Sequence, residues 1–158
     1  MFKRIFIVFA LSMMALPALA DEAAFFGKWK ISGAVKAPWE DPDHPMMTDD
    51  VELYSGKIVD ISKGRMTGPD LVGCGATMLT VEALPYAGLF EGGLASNPKN
   101  AADAYDIEKA RRLAGELGFT AEPVESLFHG CSEIILHRRD PQTLLFGLNN
   151  RIFTLKKQ

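Results

Sequence analysis

Four side chains of types that bind metals fall within one short stretch near the end of the chain: His129, Cys131, Glu133 and His137. Imidazole, thiolate and carboxylate groups are the ligands that zinc prefers. Cys131 can bind zinc only if it is not joined to Cys74, the other cysteine of the chain. A zinc site is conceivable, but the cysteine has a better use in a disulfide, so we predict no metal here.

A second set of candidate metal ligands lies in and just after the proline-containing stretch 37–50. It comprises Glu40, Asp41, Asp43, His44, Asp49, Asp50 and Glu52. Such oxygen-rich groups suit a hard cation, but their spacing does not follow the EF-hand calcium loop with its central glycine. Since loops are normally polar and exposed, we interpret the stretch as a solvated loop and predict no metal or cofactor. Cation binding by residues 40–52 is left open.

Catalytic motifs are missing from the sequence. It contains no Gly-x-Ser-x-Gly, no His-Glu-x-x-His, no phosphate loop and no dinucleotide fingerprint. The acidic residues are numerous, but no pair is singled out for acid–base work. The sequence thus favours a binding protein over an enzyme.

The first twenty residues are typical of a secretory signal peptide. Lys3 and Arg4 precede an apolar run over 5–16, and small residues over 17–20 suit cleavage after Ala20. The run is shorter than the roughly 20 residues that a membrane-spanning helix needs. We therefore predict a periplasmic or secreted protein that is not integral to the membrane after cleavage, with 21–158 as a single domain.

The charge of the chain is mildly acidic. The formal net charge is −3, and removal of Lys3 and Arg4 makes the remainder more acidic. An acidic surface disfavours nucleic acids and anionic membranes as partners.

The two cysteines, Cys74 and Cys131, are predicted to form a disulfide. Cysteines of exported chains usually pair, and two cysteines allow one intramolecular pairing. Closing a loop of this length would stabilise the fold by ~4 kcal/mol in the chain-entropy model.

The pattern of apolar residues predicts mostly short strands. Trp29, Ile31, Gly33 and Val35 alternate and are expected on one face of the first strand. Strands are predicted over 28–36, 57–61, 65–67, 75–83, 123–129, 133–138, 143–148 and 151–156. We therefore predict a mainly β fold, a small antiparallel β-barrel of about eight strands.

One α-helix is predicted, inserted between the strands at 101–117. Ile107, Ala110, Leu113, Ala114 and Leu117 recur at helical spacing. Gly118 followed by Phe119 is typical of a glycine C-cap with its hydrophobic contact.

The stretch 88–94, GLFEGGL, places Leu89, Phe90 and Leu94 among glycines. Such a loop could form a lid on the barrel mouth or a contact for a partner protein. Alternatively, Leu89 and Phe90 fill the core beneath the helix. With Tyr86 and Trp39, these residues are our candidate ligand or partner surface.

Gly27, Trp29 and Arg151 resemble the closure of lipocalin-like (calycin) barrels. In that family a Gly-x-Trp on the first strand packs beneath an arginine of the last strand. The resemblance implies a barrel of this type, in which Arg151 stacks on Trp29 with a cation–π gain of roughly 1 kcal/mol.

The predicted function is non-enzymatic binding of a small hydrophobic ligand at the barrel mouth. The alternative is a periplasmic interaction module, such as an inhibitor of an exported hydrolase; an enzyme of unknown class ranks third. Bacterial lysozyme inhibitors are similar in size, compartment and barrel class. Their serine–glycine motif is followed by a tyrosine, which Ser55-Gly56-Lys57-Ile58-Val59 lacks, so that activity is not carried over.

Overall fold

The structure, a computed structural model, describes residues 21–40, 43, 49–96 and 106–158. The predicted signal peptide, Asp41, His44 and the start of the predicted helix lie outside the described residues.

Within the described residues the chain forms nine strands, two α-helices and two 3₁₀ segments. The strands are β1 (Gly27–Lys36), β2 (Ile58–Ser62), β3 (Arg65–Thr67), β4 (Gly75–Ala76), β5 (Leu79–Leu84), β6 (Val124–His129), β7 (Ile135–Asp140), β8 (Thr143–Leu148) and β9 (Arg151–Lys157). The helices are α1 (Asp49–Tyr54) and α2 (Ile107–Glu116). The 3₁₀ segments are Glu22–Phe25, which we call the N-terminal turn, and Tyr86–Gly92, which we call the cover segment.

All nine strands of the described chain join one antiparallel sheet, in the order β4-β3-β2-β1-β9-β8-β7-β6-β5. The sheet curls into a half-barrel, and the predicted mainly β fold with a helix is confirmed. The edge strands β4 and β5 are separated by only Thr77 and Met78. The predicted strand 75–83 is therefore one extended segment that pairs first with β3 and then with β6, which is why the strand count is nine.

The connections of the sheet divide between its two ends. Because neighbouring strands are antiparallel, the β1–β2, β3–β4, β6–β7 and β8–β9 connections leave at one end, which we call the upper end. In the β8–β9 connection, Asn149 and Asn150 have φ of 47° and 57°. This is the positive φ that a two-residue hairpin turn requires, and asparagine tolerates it better than most residues.

A bulge in β1 overturns the predicted single face of that strand. The pairing with β9 shifts between Ile31 and Gly33, and a bulge moves the following side chains to the opposite face. Ala34 accordingly packs on the core, whereas Val35 is 54% exposed.

The concave side of the sheet is filled by side chains. Large buried side chains there include Trp29, Ile31, Ile61, Met66, Leu127, Leu136, Leu144, Phe146, Phe153 and Leu155. At the lower end the N-terminal turn inserts the buried Phe25. At the upper end α1 inserts Tyr54, whose ring meets Phe153 edge-on with centroids 5.7 Å apart.

A second core lies on the outer face of the sheet, under α2 and the cover segment. It joins Leu89, Phe90 and Leu94 to Ala110, Leu113, Ala114, Leu145 and Ile152. Helix α2 begins after Asp106, whose carboxylate accepts from the Lys109 amide. It ends as predicted at Gly118 (φ 86°), where the Phe119 amide donates to Ala114 at 3.0 Å.

The predicted Cys74–Cys131 disulfide is confirmed, with Cα atoms 5.4 Å apart. It joins the β3–β4 connection to the β6–β7 connection at the upper end, across the gap between the two edges of the sheet. Ser132 next to it donates its hydroxyl to the Leu71 carbonyl, and the Gly130 amide donates to Thr77 Oγ1 at 2.9 Å.

The expected stacking of Arg151 on Trp29 is wrong. In the antiparallel β1–β9 pair, Trp29 faces Lys157 and Arg151 faces Lys36, so the start of one strand meets the end of the other. At ~3.3 Å per residue, the two predicted partners are roughly 20 Å apart. Lys157 takes the expected place, with Nζ 5.1 Å from the Trp29 ring centroid.

Arg151 instead stabilises the upper end. Its Nη1 donates to Asp50 of α1 at 3.0 Å and to the Asn149 carbonyl at 3.1 Å. Gly27 lies at the lower end with a φ of 125°, which favours glycine, and a Cβ there would lie 3.3 Å from Lys157 Cε. No helix in the described residues is long and apolar enough to cross a membrane.

Candidate functional site

An open groove of about 710 Å³ lies at the upper end of the sheet. It is bounded by segments from five parts of the chain. Its lining residues are Trp39, Leu71, Phe90, Glu91, Ser132, Glu133, Ile134, Gly147, Leu148, Asn149 and Asn150. The groove thus combines an apolar wall with amide, hydroxyl and carboxylate groups.

Two aromatic rings form one wall of the groove. Trp39 and Phe90 have centroids 5.6 Å apart, with their planes tilted by 38°. A glycine lies against each ring: a Cβ on Gly93 would lie 2.9 Å from Trp39 Cε2, and one on Gly147 would lie 3.4 Å from Phe90 Cδ1. A side chain at position 93 would therefore displace Trp39, whereas a Cβ at position 147 would make an ordinary contact with Phe90.

Unusual backbone geometry is concentrated at the groove. Every non-glycine residue with positive φ in the described part of the chain lines it: Leu71, Phe90, Glu91, Asn149 and Asn150. The asparagines are explained by their hairpin turn. Leu71 (φ 70°), Phe90 (φ 51°) and Glu91 (φ 57°) are not of the types that tolerate this region well. Such strain is retained most often at functional sites.

A buried histidine holds Phe90 in this conformation. The Phe90 amide donates to His137 Nε2 at 3.1 Å, so that nitrogen carries no proton. His137 Nδ1 lies 2.8 Å from Ser126 Oγ and donates to it. Ser126 in turn donates to the Val124 carbonyl at 3.2 Å. The chain of hydrogen bonds fixes the backbone of the groove wall to the sheet.

Burial lowers the pKa of His137 to about 3, so the ring is neutral at ordinary pH. The Phe90 ring meets the imidazole edge-on, with centroids 4.6 Å apart. A neutral imidazole is the form that this hydrogen-bond arrangement needs, because the protonated form could not accept from the Phe90 amide.

Ser126 and His137 do not form a nucleophile and base. Both side chains are buried between the sheet and the cover segment. Nδ1 of His137 contacts the serine, and the other ring nitrogen, Nε2, already accepts from the Phe90 amide. A reacting group would have to displace the cover segment to reach the serine.

The zinc alternative fails because Cys131 is held in the disulfide. His129 belongs to the concave side and His137 to the outer face, where its neighbours are Ser126 and Phe90. Burial lowers the pKa of His129 as well. Across residues 21–40, 43, 49–96 and 106–158 no group of three or more metal-binding side chains comes together.

The structure describes only part of the acidic stretch 40–52. Asp49, Asp50 and Glu52 belong to α1, a helix where a loop was predicted, and Asp50 pairs with Arg151. Asp41 and His44 lie outside the described residues.

The five predicted surface residues separate into two groups. Trp39 and Phe90 line the groove. Tyr86, Leu89 and Leu94 are buried in the second core beneath α2, which matches the alternative that this loop fills the core. The sequence analysis did not place Leu71, Ser132 or Glu133 on a binding surface; Glu133 was considered only as a zinc ligand. Their only sequence signal was their position beside the two cysteines.

A second, smaller groove of about 480 Å³ lies between α1 and the β3–β4 connection. Its lining includes Leu53, Lys57, Ile58, Pro69 and Asp70. Leu53 and Ile58 are 58% and 42% exposed. Desolvation, with the charges of Asp50 and Asp70, raises the pKa of the neighbouring Tyr54.

Comparison with known proteins finds no matching family model, no matching curated protein and no matching solved structure.

Proposed function

We propose that this protein is an exported, non-enzymatic binding protein that takes a small, largely apolar ligand in the groove beside Trp39 and Phe90. The groove is the single observation that carries the proposal. Its volume of about 710 Å³ falls in the range of ligand sites, roughly 300–1,000 Å³. The concave side of the sheet is filled by Trp29, Phe146 and Phe153, so a ligand would bind at the mouth.

The organisation of the wall supports binding. A ligand site gains affinity when its walls are ordered before the ligand arrives. Here Phe90 is fixed by His137, and Leu71 is fixed by Ser132 beside the disulfide. Export is part of the proposal, because a disulfide persists in an oxidising compartment.

The test is titration with N-phenyl-1-naphthylamine, a neutral apolar dye whose fluorescence rises on binding. We expect saturable binding that Trp39→Ala weakens about tenfold, since a lost aromatic contact costs ~1 kcal/mol or more. Leu53→Ala, an exposed leucine outside this groove, is the matched control and should bind normally. Equal affinity of wild type and Trp39→Ala for the dye would show that the groove is not the binding site.

A second candidate is docking on another exported protein, for instance as an inhibitor. It is favoured by Leu53 and Ile58, which are exposed together beside the second groove, since clustered exposed apolar residues often mark interfaces. Native mass spectrometry of the protein purified from its own cells separates the two. A bound mass of a few hundred daltons supports the ligand, and a second polypeptide supports docking.

A further inference from the structure

The charged residues that line the groove share one sign. Glu91 and Glu133 line it, and Glu40 and Asp70 directly neighbour the lining residues Trp39 and Leu71. These acids come from four separate segments of the chain. Among the described residues that line the groove, none is lysine or arginine.

The nearest cation in the sequence does not offset these acids. Arg151 follows the lining residues Asn149 and Asn150, but its side chain is only 5% exposed and is paired with Asp50. Glu91 and Glu133, by contrast, are both exposed, and within the described chain neither forms an ion pair. Their charges are therefore available to a ligand.

The aromatic wall suits the same kind of ligand. The face of an indole attracts a cation through its quadrupole, with tryptophan the strongest of the aromatic side chains. Trp39 is partly exposed at the groove. The carboxylates and the indole thus favour a positive charge together, while Phe90, Ile134 and Leu148 favour an apolar body.

From this charge complementarity we propose that the ligand is a small organic cation: a substituted ammonium group attached to an apolar or aromatic body. This inference rests on the proposed function, because it names the ligand class of the same groove. The ammonium group lies between Trp39 and the carboxylates of Glu91 and Glu133, and the body lies against the apolar wall.

The test compares three probes of nearly the same shape by isothermal titration calorimetry: benzyltrimethylammonium, neutral neopentylbenzene and anionic benzylsulfonate. We expect the cation to bind about tenfold more tightly than the neutral probe, the factor that ~1.4 kcal/mol represents. The anion should bind weakest. Added salt should weaken binding of the cation and leave the neutral probe nearly unchanged.

The variants Glu91→Gln and Glu133→Gln should each reduce the preference for the cation several-fold without weakening the neutral probe. Glu82→Gln is the matched control, because Glu82 is an exposed glutamate on β5 outside the groove. Equal affinities for cation and neutral probe would overturn the cation inference and leave the groove as an apolar site. Failure of all three probes, and of the neutral dye, would overturn the proposed function itself.

Discussion

Lys157 lies over Trp29 because the first strand, β1, and the last strand, β9, pair in antiparallel orientation. The ammonium group is 5.1 Å from the ring centroid, and the indole N–H donates to the Phe25 carbonyl at 2.7 Å. Gly27 leaves the space that the lysine stem crosses. The Gly-x-Trp pattern therefore does close one end of the sheet, with a lysine as the partner.

We predict that Trp29 and Lys157 are energetically coupled. In a double-mutant cycle of Trp29→Leu and Lys157→Ala, measured by urea unfolding, the coupling should be about 0.5–1 kcal/mol, the size of an exposed cation–π contact. The matching cycle of Trp29→Leu with Arg151→Ala should be additive within about 0.5 kcal/mol. Coupling to Arg151 instead of Lys157 would contradict the register of β1 and β9.

At the scale of elements, two side chains that titrate hold the cover segment: Glu122 accepts from the Tyr86 amide at 2.7 Å, and the buried His137 accepts from the Phe90 amide. His137 accepts the Phe90 amide from one side and donates to Ser126 on the other. Protonation of His137 would remove the acceptor and place a charge in a buried site. The docking of the cover segment should therefore depend on pH.

We predict that stability falls as the pH drops below about 6.5. The unfolded chain has a histidine pKa of about 6.5, whereas burial lowers the pKa of folded His137 to about 3. Between these values the unfolded state binds more protons, so the His137 contribution is fully present above pH 6.5 and is lost towards pH 3. The slope is at most about 1.4 kcal/mol per pH unit.

His137→Gln isolates this effect, because the amide oxygen keeps an acceptor for Phe90 and does not titrate. Urea unfolding at pH 7.5 and pH 5 should show a larger loss for wild type than for the variant, by up to roughly 2 kcal/mol. The buried His129 is present in both proteins and cancels in the comparison. Identical pH dependence of the two would show that His137 does not control the docking.

Short apolar runs between turn residues were sufficient to predict most strands. Strict alternation was not needed, because β8 and β9 are covered on both faces by the two cores. The sequence did not predict the division of 75–83 into β4 and β5, since the change of partner at Thr77 depends on contacts with Gly64 and Gly130. Nor did it predict α1, a six-residue helix. Helices this short form through tertiary contacts, here Tyr54 with Phe153 and Asp50 with Arg151.

At the scale of the whole molecule, the disulfide links the two sides of the open sheet, whose edge strands β4 and β5 are not paired with each other. It links the connection after β3 to the connection after β6, and Ser132 and Leu71 beside it line the groove. The same link thus holds the fold together and orders one wall of the site.

We predict that Cys74→Ala/Cys131→Ala lowers the free energy of unfolding by ~4 kcal/mol, through the added entropy of the unfolded chain. The denaturant m-value should rise, because the unfolded chain exposes more surface without the cross-link. Wild type unfolded under a reducing agent serves as the control and should lose a similar amount. A loss below about 1 kcal/mol would mean that hydrogen bonds such as Gly130 to Thr77 suffice to hold the edges.

The groove could be predicted only in part, because it is assembled from five distant segments. Trp39 and Phe90 were identified as unusual apolar residues in loops. The positive φ of Leu71 and Glu91 could not be predicted from their residue types, because glycine or asparagine is expected at positive φ. Arg151 contacts Asp50 instead of Trp29 because β1 and β9 are antiparallel. The short motifs at Trp29 and Arg151 carry no information about strand direction.

The pairing of β1 with β9 also has a mechanical consequence. Trp29 faces Lys157, and the Gln158 amide donates to the Lys28 carbonyl at 2.9 Å, so both ends of the described chain leave the sheet side by side. A force pulling the ends apart would act across the ladder and break its hydrogen bonds one after another, as a zipper opens. Between its ends the molecule should therefore resist tension weakly, until the extension reaches the covalent link between Cys74 and Cys131, which are 57 residues apart in sequence.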